Sequence, residues 1–216
     1  MRLADLRTQY REGVLDLADL DPDPLRQFEA WLADAVAAGL LEPNAMGLAT
    51  VDPGGAPSLR MVLLKGLEDG RFVFYTHLES RKAAALAADP RCALVFWWDA
   101  LERQVRVEGH AERVADAVVD AYFASRPRGS QLGAWASPQS RPLPDREALT
   151  RSLADAEARF PAVVPRPPFW GGYAVTATAV EFWQGRASRL HDRFRYERTA
   201  GVSDGGAAWM RSRLAP

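Results

Sequence analysis

The sequence predicts an antiparallel β-barrel with helices packed around it, a mainly β architecture of the α+β class. Three observations predict this. The strand-like runs are short, and turn chemistry such as Asp52-Pro-Gly-Gly and Glu68-Asp-Gly separates several of them. Helical patterns fall between too few of these runs to supply the crossovers of a parallel sheet. No G-x-G-x-x-G follows the first strand, so the dinucleotide-binding form of the doubly wound alternative fails its own test.

In chain order, residues 1–20 are polar and mixed, and read as a mobile N-terminal arm. Residues 21–216 read as a single domain. Asp23 can cap a helix that opens on Pro24 and carries Leu25, Phe28, Leu32, Val36 and Leu40 near the 3.6 period. Strands follow at 46–51, 58–66 and 71–77. An Ala-rich helix follows at 80–88, and two more strands fall within 91–113 around a turn at 99–102. A helix at 116–125 stops at Pro127, and a mostly polar helix covers 145–160. After the Pro-rich connector 161–168, strands are expected at 173–184 and 189–197. The Gly-rich stretch 199–208 reads as loose.

Composition narrows the function classes. The chain has 216 residues, with 27 Lys and Arg against 28 Asp and Glu, a net charge of −1. That balance argues against bulk nucleic-acid or anionic-membrane binding. A single cysteine, Cys92, excludes an internal disulfide and a cysteine-based zinc site, and the three histidines form no H-E-x-x-H pattern, so no metal is expected. The longest strongly apolar stretch, 92–98, is far short of a membrane span, and the N-terminus has no apolar signal core. The expectation is a soluble, cytoplasmic protein.

Cations recur beside strand ends and helix starts. Arg60 and Lys65 bracket one strand. They are five residues apart, so a regular strand points them to opposite faces, and they share a ligand only if the strand bends or the ligand wraps its end. Ser80-Arg81-Lys82 opens a helix straight after Tyr75-Thr76, which suits a phosphate; the same residues also suit a plain helix start with two solvated cations. Arg126-Pro-Arg-Gly-Ser130, behind Tyr122, is a second such cup, or a solvated helix end. On a strand, Arg189, His191 and Arg193 would share one face, which suits an anion among them or, as the bland alternative, a plain exposed strand face. No nucleophile with an adjacent base and no paired carboxylates stand out. Cations and aromatics without catalytic acids suggest that a cofactor does the chemistry.

These segments together resemble the pyridoxamine 5′-phosphate oxidase family: R-M-V-L-L-K (60–65), F-V-F-Y-T (72–76), S-R-K-A (80–83), L-E-R-Q-V-R-V-E-G (101–109), Y-F-A-S-R-P-R-G-S-Q-L-G-A-W-A-S (122–137), Q-S (139–140), P-P-F-W-G-G-Y (167–173), E-F-W-Q-G (181–185), R-L-H-D-R-F-R-Y (189–196) and R-L-A-P (213–216). The resemblance runs from about Leu6 to the last residue.

The resemblance implies an FMN-binding split barrel acting as a homodimer, with each flavin at the interface. It implies oxidation of pyridoxamine 5′-phosphate or pyridoxine 5′-phosphate to pyridoxal 5′-phosphate, by hydride transfer to the flavin and with dioxygen giving hydrogen peroxide. It places Arg60, Met61, Val62, Leu63, Leu64, Lys65, Tyr75, Thr76, Arg81, Lys82, Gln104, Gln139, Ser140, Trp183 and Arg193 on FMN. It places Lys65, Tyr122, Arg126 and Ser130 on the substrate phosphate. Arg189, Leu190 and His191 would lie at the pyridine ring, with Arg189 and His191 catalytic, and Arg7 and Tyr10 of the arm would close over the substrate. Two departures stand out: Pro138 where a basic residue is common, and V-L-D-L-A-D after Gly13 where several relatives are Arg-rich. They bear on an accessory ligand site and leave the flavin and substrate residues untouched. Rival readings are a split-barrel reductase using a nicotinamide, and a non-catalytic carrier of flavin or pyridoxal phosphate.

Overall fold

The computed structural model describes residues 2, 10, 13–199 and 209–216. Nine strands form one sheet in which every pairing is antiparallel. They are β1 (Ala45–Val51), β2 (Pro57–Leu63), β3 (Gly66–Glu68), β4 (Arg71–His77), β5 (Arg91–Trp98), β6 (Arg103–Arg113), β7 (Trp170–Gln184), β8 (Asp192–Arg198) and β9 (Trp209–Leu214). Five helices accompany them: α1 (Pro24–Ala37), α2 (Arg81–Ala88), α3 (Asp116–Ser125), α4 (Arg128–Ala136) and α5 (Arg146–Arg159).

The sheet runs β2-β1-β5-β6-β7-β4-β3, with β8 and β9 added beside β7. The 15-residue β7 organises it. One edge pairs with β6 along its length; the other pairs with β4 over 170–175 and with β8 over 179–184. The switch coincides with a bulge, where Glu108 faces Ala179 but Gly109 faces Ala177, leaving Thr178 extra. Gly109 is required there, because a Cβ would lie 2.2 Å from the Thr176 carbonyl oxygen.

Local chemistry explains the elements. Asp23 accepts the Leu25 N–H at 2.9 Å and caps α1, and Ser80 and Asp145 cap α2 and α5 the same way. Asp69 and Gly70 both have positive φ, which suits the tight β3–β4 turn. The apolar face of α1 differs from the expected stripe: Phe28, Trp31 and Ala35 are buried while Val36 is 61% exposed. Phe28 sets that face by wedging against Phe72 and Phe96, with ring centres 5.0 and 4.8 Å away. The main core collects Met46, Leu48, Phe74, Trp98, Phe182 and Phe194 inside the curled sheet. A smaller core under α3–α5 holds Val119, Phe123, Leu132 and Trp170.

Four expectations are corrected. The strand expected at 58–66 is broken, because its partner changes. Leu64 N–H still bonds the Asn44 carbonyl beside β1, but Lys65 N–H bonds Val73 on β4. The strand expected at 189–197 starts only at Asp192. Ser188 and Arg189 take left-handed φ of 57° and 64° inside a 3₁₀ turn, so Arg189, His191 and Arg193 do not share a strand face. No helix was expected where α4 stands, and its first turn carries Ser130 of the expected cup. β9 closes the chain where no strand was expected, while most of the Gly-rich stretch, 200–208, lies outside the described residues. Within the N-terminal segment, Leu15 and Leu20 are buried in the main core.

Candidate functional site

The strand break at Lys65, the end of β4, the start of α2 and the α3–α4 junction enclose one cleft of about 620 Å³. Met61, Val62, Leu63, Lys65, Tyr75, Thr76, Lys82, Tyr122, Arg126, Ser130 and Gln139, all expected from the sequence, line it. Lys65 reaches it because the chain bends where it leaves β1 for β4, which resolves the opposite-face problem. Pro127, Gly133, Ala134 and Ser137 also line it, as do two residues the sequence reading missed, His77 and Trp170. Those two meet only through pairing distant in sequence, as cross-strand partners on β4 and β7. Trp170 falls within the P-P-F-W-G-G-Y segment, but nothing local gives it or His77 a place in the cleft.

The floor is aromatic. Tyr75, Tyr122 and Trp170 lie nearly parallel and close together, with the Tyr75 ring centre 4.0 Å from Tyr122 and 5.4 Å from Trp170, and those two 6.1 Å apart. Gly172 makes room for it, since a Cβ there would lie 2.8 Å from the Tyr75 ring. Burial pushes the Tyr75 hydroxyl up to about 12, so it stays protonated.

Two cationic ends flank this floor. At one, the Arg126 guanidinium lies 4.7 Å from the centre of the Trp170 ring, and its Nη1 is buried without a hydrogen-bond partner. It is the one such side-chain atom among the described residues. Burial lowers its affinity for the proton. A buried guanidinium N–H without an acceptor is unfavourable, and an anion would satisfy it. At the other end, Lys82 Nζ donates to Gln139 Oε1 at 2.6 Å and Thr76 Oγ1 at 3.2 Å. Its ammonium is held down to about 8, by burial first and the Arg60 charge second. Arg60 is itself lowered by burial and by Arg81. Arg60 points away from the cleft lining, donating to Leu48 O, Thr50 Oγ1 and Ser58 Oγ. Arg81 is exposed and reaches Asp52 at 3.4 Å. Arg60 is thus repelled by Arg81 and itself repels Lys82, and an anion beside the start of α2 would relieve both.

The remaining expected residues lie elsewhere. Leu64 is buried in the main core, and Ser140 follows Gln139 with a φ of 73°. Gln104, Trp183 and Arg193 form one cross-strand row on β6, β7 and β8. Beside them His191 lies 4.5 Å from Trp183 and 5.4 Å from Tyr10, and the Arg189 guanidinium sits 5.6 Å from the Tyr10 ring centre. Leu190 is exposed. Arg7 lies outside the described residues. His191 Nδ1 accepts the Arg186 N–H at 3.1 Å, so its proton sits on Nε2. Burial and Arg189 both hold His191 towards the neutral form. Within one chain this second group does not line the cleft. Thr76 and Tyr75 pair with Gly171 and Gly172 at the start of β7, whereas Trp183 is near its end, up to about 36 Å along an extended strand.

Two family models match the chain. Residues 32–160 match the family described as pyridoxamine 5′-phosphate oxidase. Residues 170–216 match a pyridoxine 5′-phosphate oxidase C-terminal dimerisation region. A pyridoxine/pyridoxamine 5′-phosphate oxidase of Cupriavidus taiwanensis is 54% identical over 215 residues, 100% of this chain and 99% of its own. That of Rubrobacter xylanophilus is 56% identical, covering 99% of this chain and 96% of its own. Among solved structures, PhzG from Burkholderia lata 383, in complex with tetrahydrophenazine-1-carboxylic acid, superposes with a TM-score of 0.88 at 30% identity, over 97% of this chain and all of its own. A pyridoxamine 5′-phosphate oxidase-related, FMN-binding protein of Nostoc punctiforme shares the fold at 18% identity, with a TM-score of 0.72 over 91% of this chain and all of its own.

Proposed function

This chain belongs to the pyridoxamine 5′-phosphate oxidase family, and on that premise we propose that it oxidises pyridoxamine 5′-phosphate or pyridoxine 5′-phosphate to pyridoxal 5′-phosphate. It does so as an FMN-dependent homodimer with dioxygen as acceptor. The observation that carries this reading is the buried, unpartnered Arg126 Nη1 at one end of a cleft whose other end holds Lys82 among further cations. Two anion seats flanking an aromatic floor fit two phosphorylated, flat molecules.

The redox chemistry, a two-electron oxidation at the exocyclic 4′ carbon that ends in hydrogen peroxide, is what FMN supplies when bound. The chain's own residues bind and orient. Arg126, Ser130, Tyr122 and Lys65 hold the substrate phosphate. Lys82, Arg81 and Arg60 supply the positive field for the FMN phosphate, with Thr76 and Gln139 fixing the Lys82 ammonium. The Tyr75–Tyr122–Trp170 stack excludes water from the floor. Arg189 and His191 face the substrate ring, His191 as a neutral donor through Nε2–H. Because they lie apart from the cleft within one chain, the partner subunit brings them to it. The C-terminal dimerisation match supports this arrangement.

Protein reconstituted with FMN should retain about one flavin per chain and consume oxygen when given pyridoxamine 5′-phosphate. Pyridoxamine lacking the phosphate should be turned over far less efficiently. Equal efficiency with both, or failure to retain flavin, would overturn the reading. The PhzG likeness makes a phenazine precursor the runner-up, separable by offering both substrates to the same preparation.

Lys82 adds a pH signature. Unfolded, it keeps its proton up to the ordinary lysine range, near 10.4. Folded, it releases it at about 8. Between those values the unfolded chain binds more protons, so the cofactor-free protein gains stability as pH rises through that window. FMN affinity moves the other way, since the phosphate needs the charged ammonium. Flavin fluorescence titrations from pH 7 to 9.5 should show weakening above about pH 8; a flat profile would remove Lys82 from the phosphate seat.

A further inference from the structure

The 3₁₀ turn that presents Arg189 is held in an unfavourable shape. Ser188 and Arg189 both adopt left-handed backbone without being glycine. Such geometry persists only where surrounding contacts over-determine it. One of those contacts is the Arg186 N–H bond to His191 Nδ1. The others converge on a single carboxylate, Asp192, whose side chain is only 13% exposed.

Asp192 Oδ2 accepts from Arg186 Nη1 at 3.1 Å, which ties down the start of the turn. The same oxygen accepts the Leu15 N–H at 3.2 Å, across 177 residues of sequence. Oδ1 accepts from Arg213 Nη1 at 2.7 Å, on the last strand. Arg213 in turn donates to Asp16 Oδ1 at 3.1 Å and lies 4.4 Å from the centre of the Phe194 ring. One carboxylate therefore joins the N-terminal segment, the strained turn and the C-terminal strand. Two of its three bonds are to guanidinium groups, the stronger kind. Leu15 is also buried in the main core, and Tyr10, five residues earlier in the chain, lies against His191 and Arg189.

We propose that Asp192 is a positioning residue that latches the N-terminal segment and the C-terminal strand to the turn carrying Arg189 and His191, and so sets those two side chains for the substrate ring. The proposal rests on the substrate role assigned to Arg189 and His191 above. Asp192 touches neither substrate nor cofactor in this account; it acts through the residues it holds.

The test uses FMN-loaded protein carrying Asp192→Ala, Asp192→Asn or Arg213→Met, beside the unaltered chain. Amide hydrogen exchange is followed over residues 13–20 and 185–191, with helix α5 as the internal reference, and oxygen uptake with pyridoxamine 5′-phosphate is measured in parallel. In Asp192→Ala, exchange in both segments should quicken about tenfold or more, as loss of a hydrogen bond to a charged group implies. Exchange in α5 should not change. Flavin content should hold while kcat/KM falls about tenfold or more. Asp192→Asn, which keeps one acceptor oxygen, should fall between. Arg213→Met keeps the stem on Phe194 and should loosen only 13–20. Unchanged exchange in Asp192→Ala, or quickened exchange with unaltered kinetics, would overturn the proposal. Should Asp192→Ala not fold, Arg213→Met decides: quickened exchange at 13–20 supports the latch, and unchanged exchange overturns it. If the unaltered protein does not oxidise the substrate, the functional reading fails on its own, while the exchange data still decide whether the latch exists.

Discussion

Replacing Arg126 with alanine should raise KM for pyridoxamine 5′-phosphate by between about 10- and 150-fold, with a much smaller change in kcat. The range follows from the roughly 1.5–3 kcal/mol carried by a hydrogen bond to a charged group, at about 1.4 kcal/mol per factor of ten. The side chain is preorganised: it lies against Trp170 and Phe123, its Nη1 is buried, and that atom has no protein acceptor. A phosphate seated there gains a partner whose burial is already complete in the free protein. The phosphate is remote from the reacting carbon, so its contacts are made equally in ground and transition states, and their loss appears in KM. The residues assigned to FMN are untouched, so flavin content should hold. Arg126→Lys should recover little, because an ammonium cannot reproduce the planar fork lying against two rings. Initial-rate kinetics decide the matter. A large fall in kcat at unchanged KM would place Arg126 in the chemical step instead.

Gly109→Ala should lower the melting temperature by about 6 °C or more, and this is the largest single-site stability effect expected. The added carbon would meet Thr176 O at 2.2 Å, Thr176 C at 3.0 Å and Ala177 Cα at 3.2 Å. All three are backbone atoms of the paired strand, so no rotamer relieves the clash. Overpacking typically costs about 1–3 kcal/mol, and about 3 kcal/mol or more where only backbone could yield; a chain of this size loses roughly 2–4 °C per kcal/mol. The bulge cannot move independently, since it is where β7 exchanges β4 for β8. Gly129→Ala is the control. It lies within α4 with nothing within 4 Å of the new carbon, and should leave stability unchanged or slightly raised. Thermal denaturation of both variants is the measurement; equal melting temperatures would show that the bulge tolerates a side chain.

Read alone, the chain declares its local structure through local physics. Asp23 caps the helix it was expected to cap, and Ser80 and Asp145, at the expected starts of two more, cap theirs, because a capping bond spans two or three residues. The turns at Asp52-Pro-Gly-Gly and Glu68-Asp-Gly fall where short-range backbone preference puts them. The cationic segments were legible as candidate phosphate seats, and the order of the motifs was legible as that of a family.

Other features were decided only when the chain closed. Lys65, Lys82 and Arg126 share one cleft because β3 and β7 pair with opposite edges of β4, a contact between residues about a hundred positions apart. Trp170 and His77 enter the site through that same pairing. Whether Arg126 is a solvated helix end or a buried, unpartnered cation is a question of burial, and burial belongs to the whole fold. The left-handed turn at Ser188–Arg189 overrode a strand-like pattern, because Asp192 and His191 hold Arg186 from outside the turn. Long-range pairing wins in such places because the free energy released by closing the sheet exceeds the fraction of a kilocalorie per residue that local preference commands.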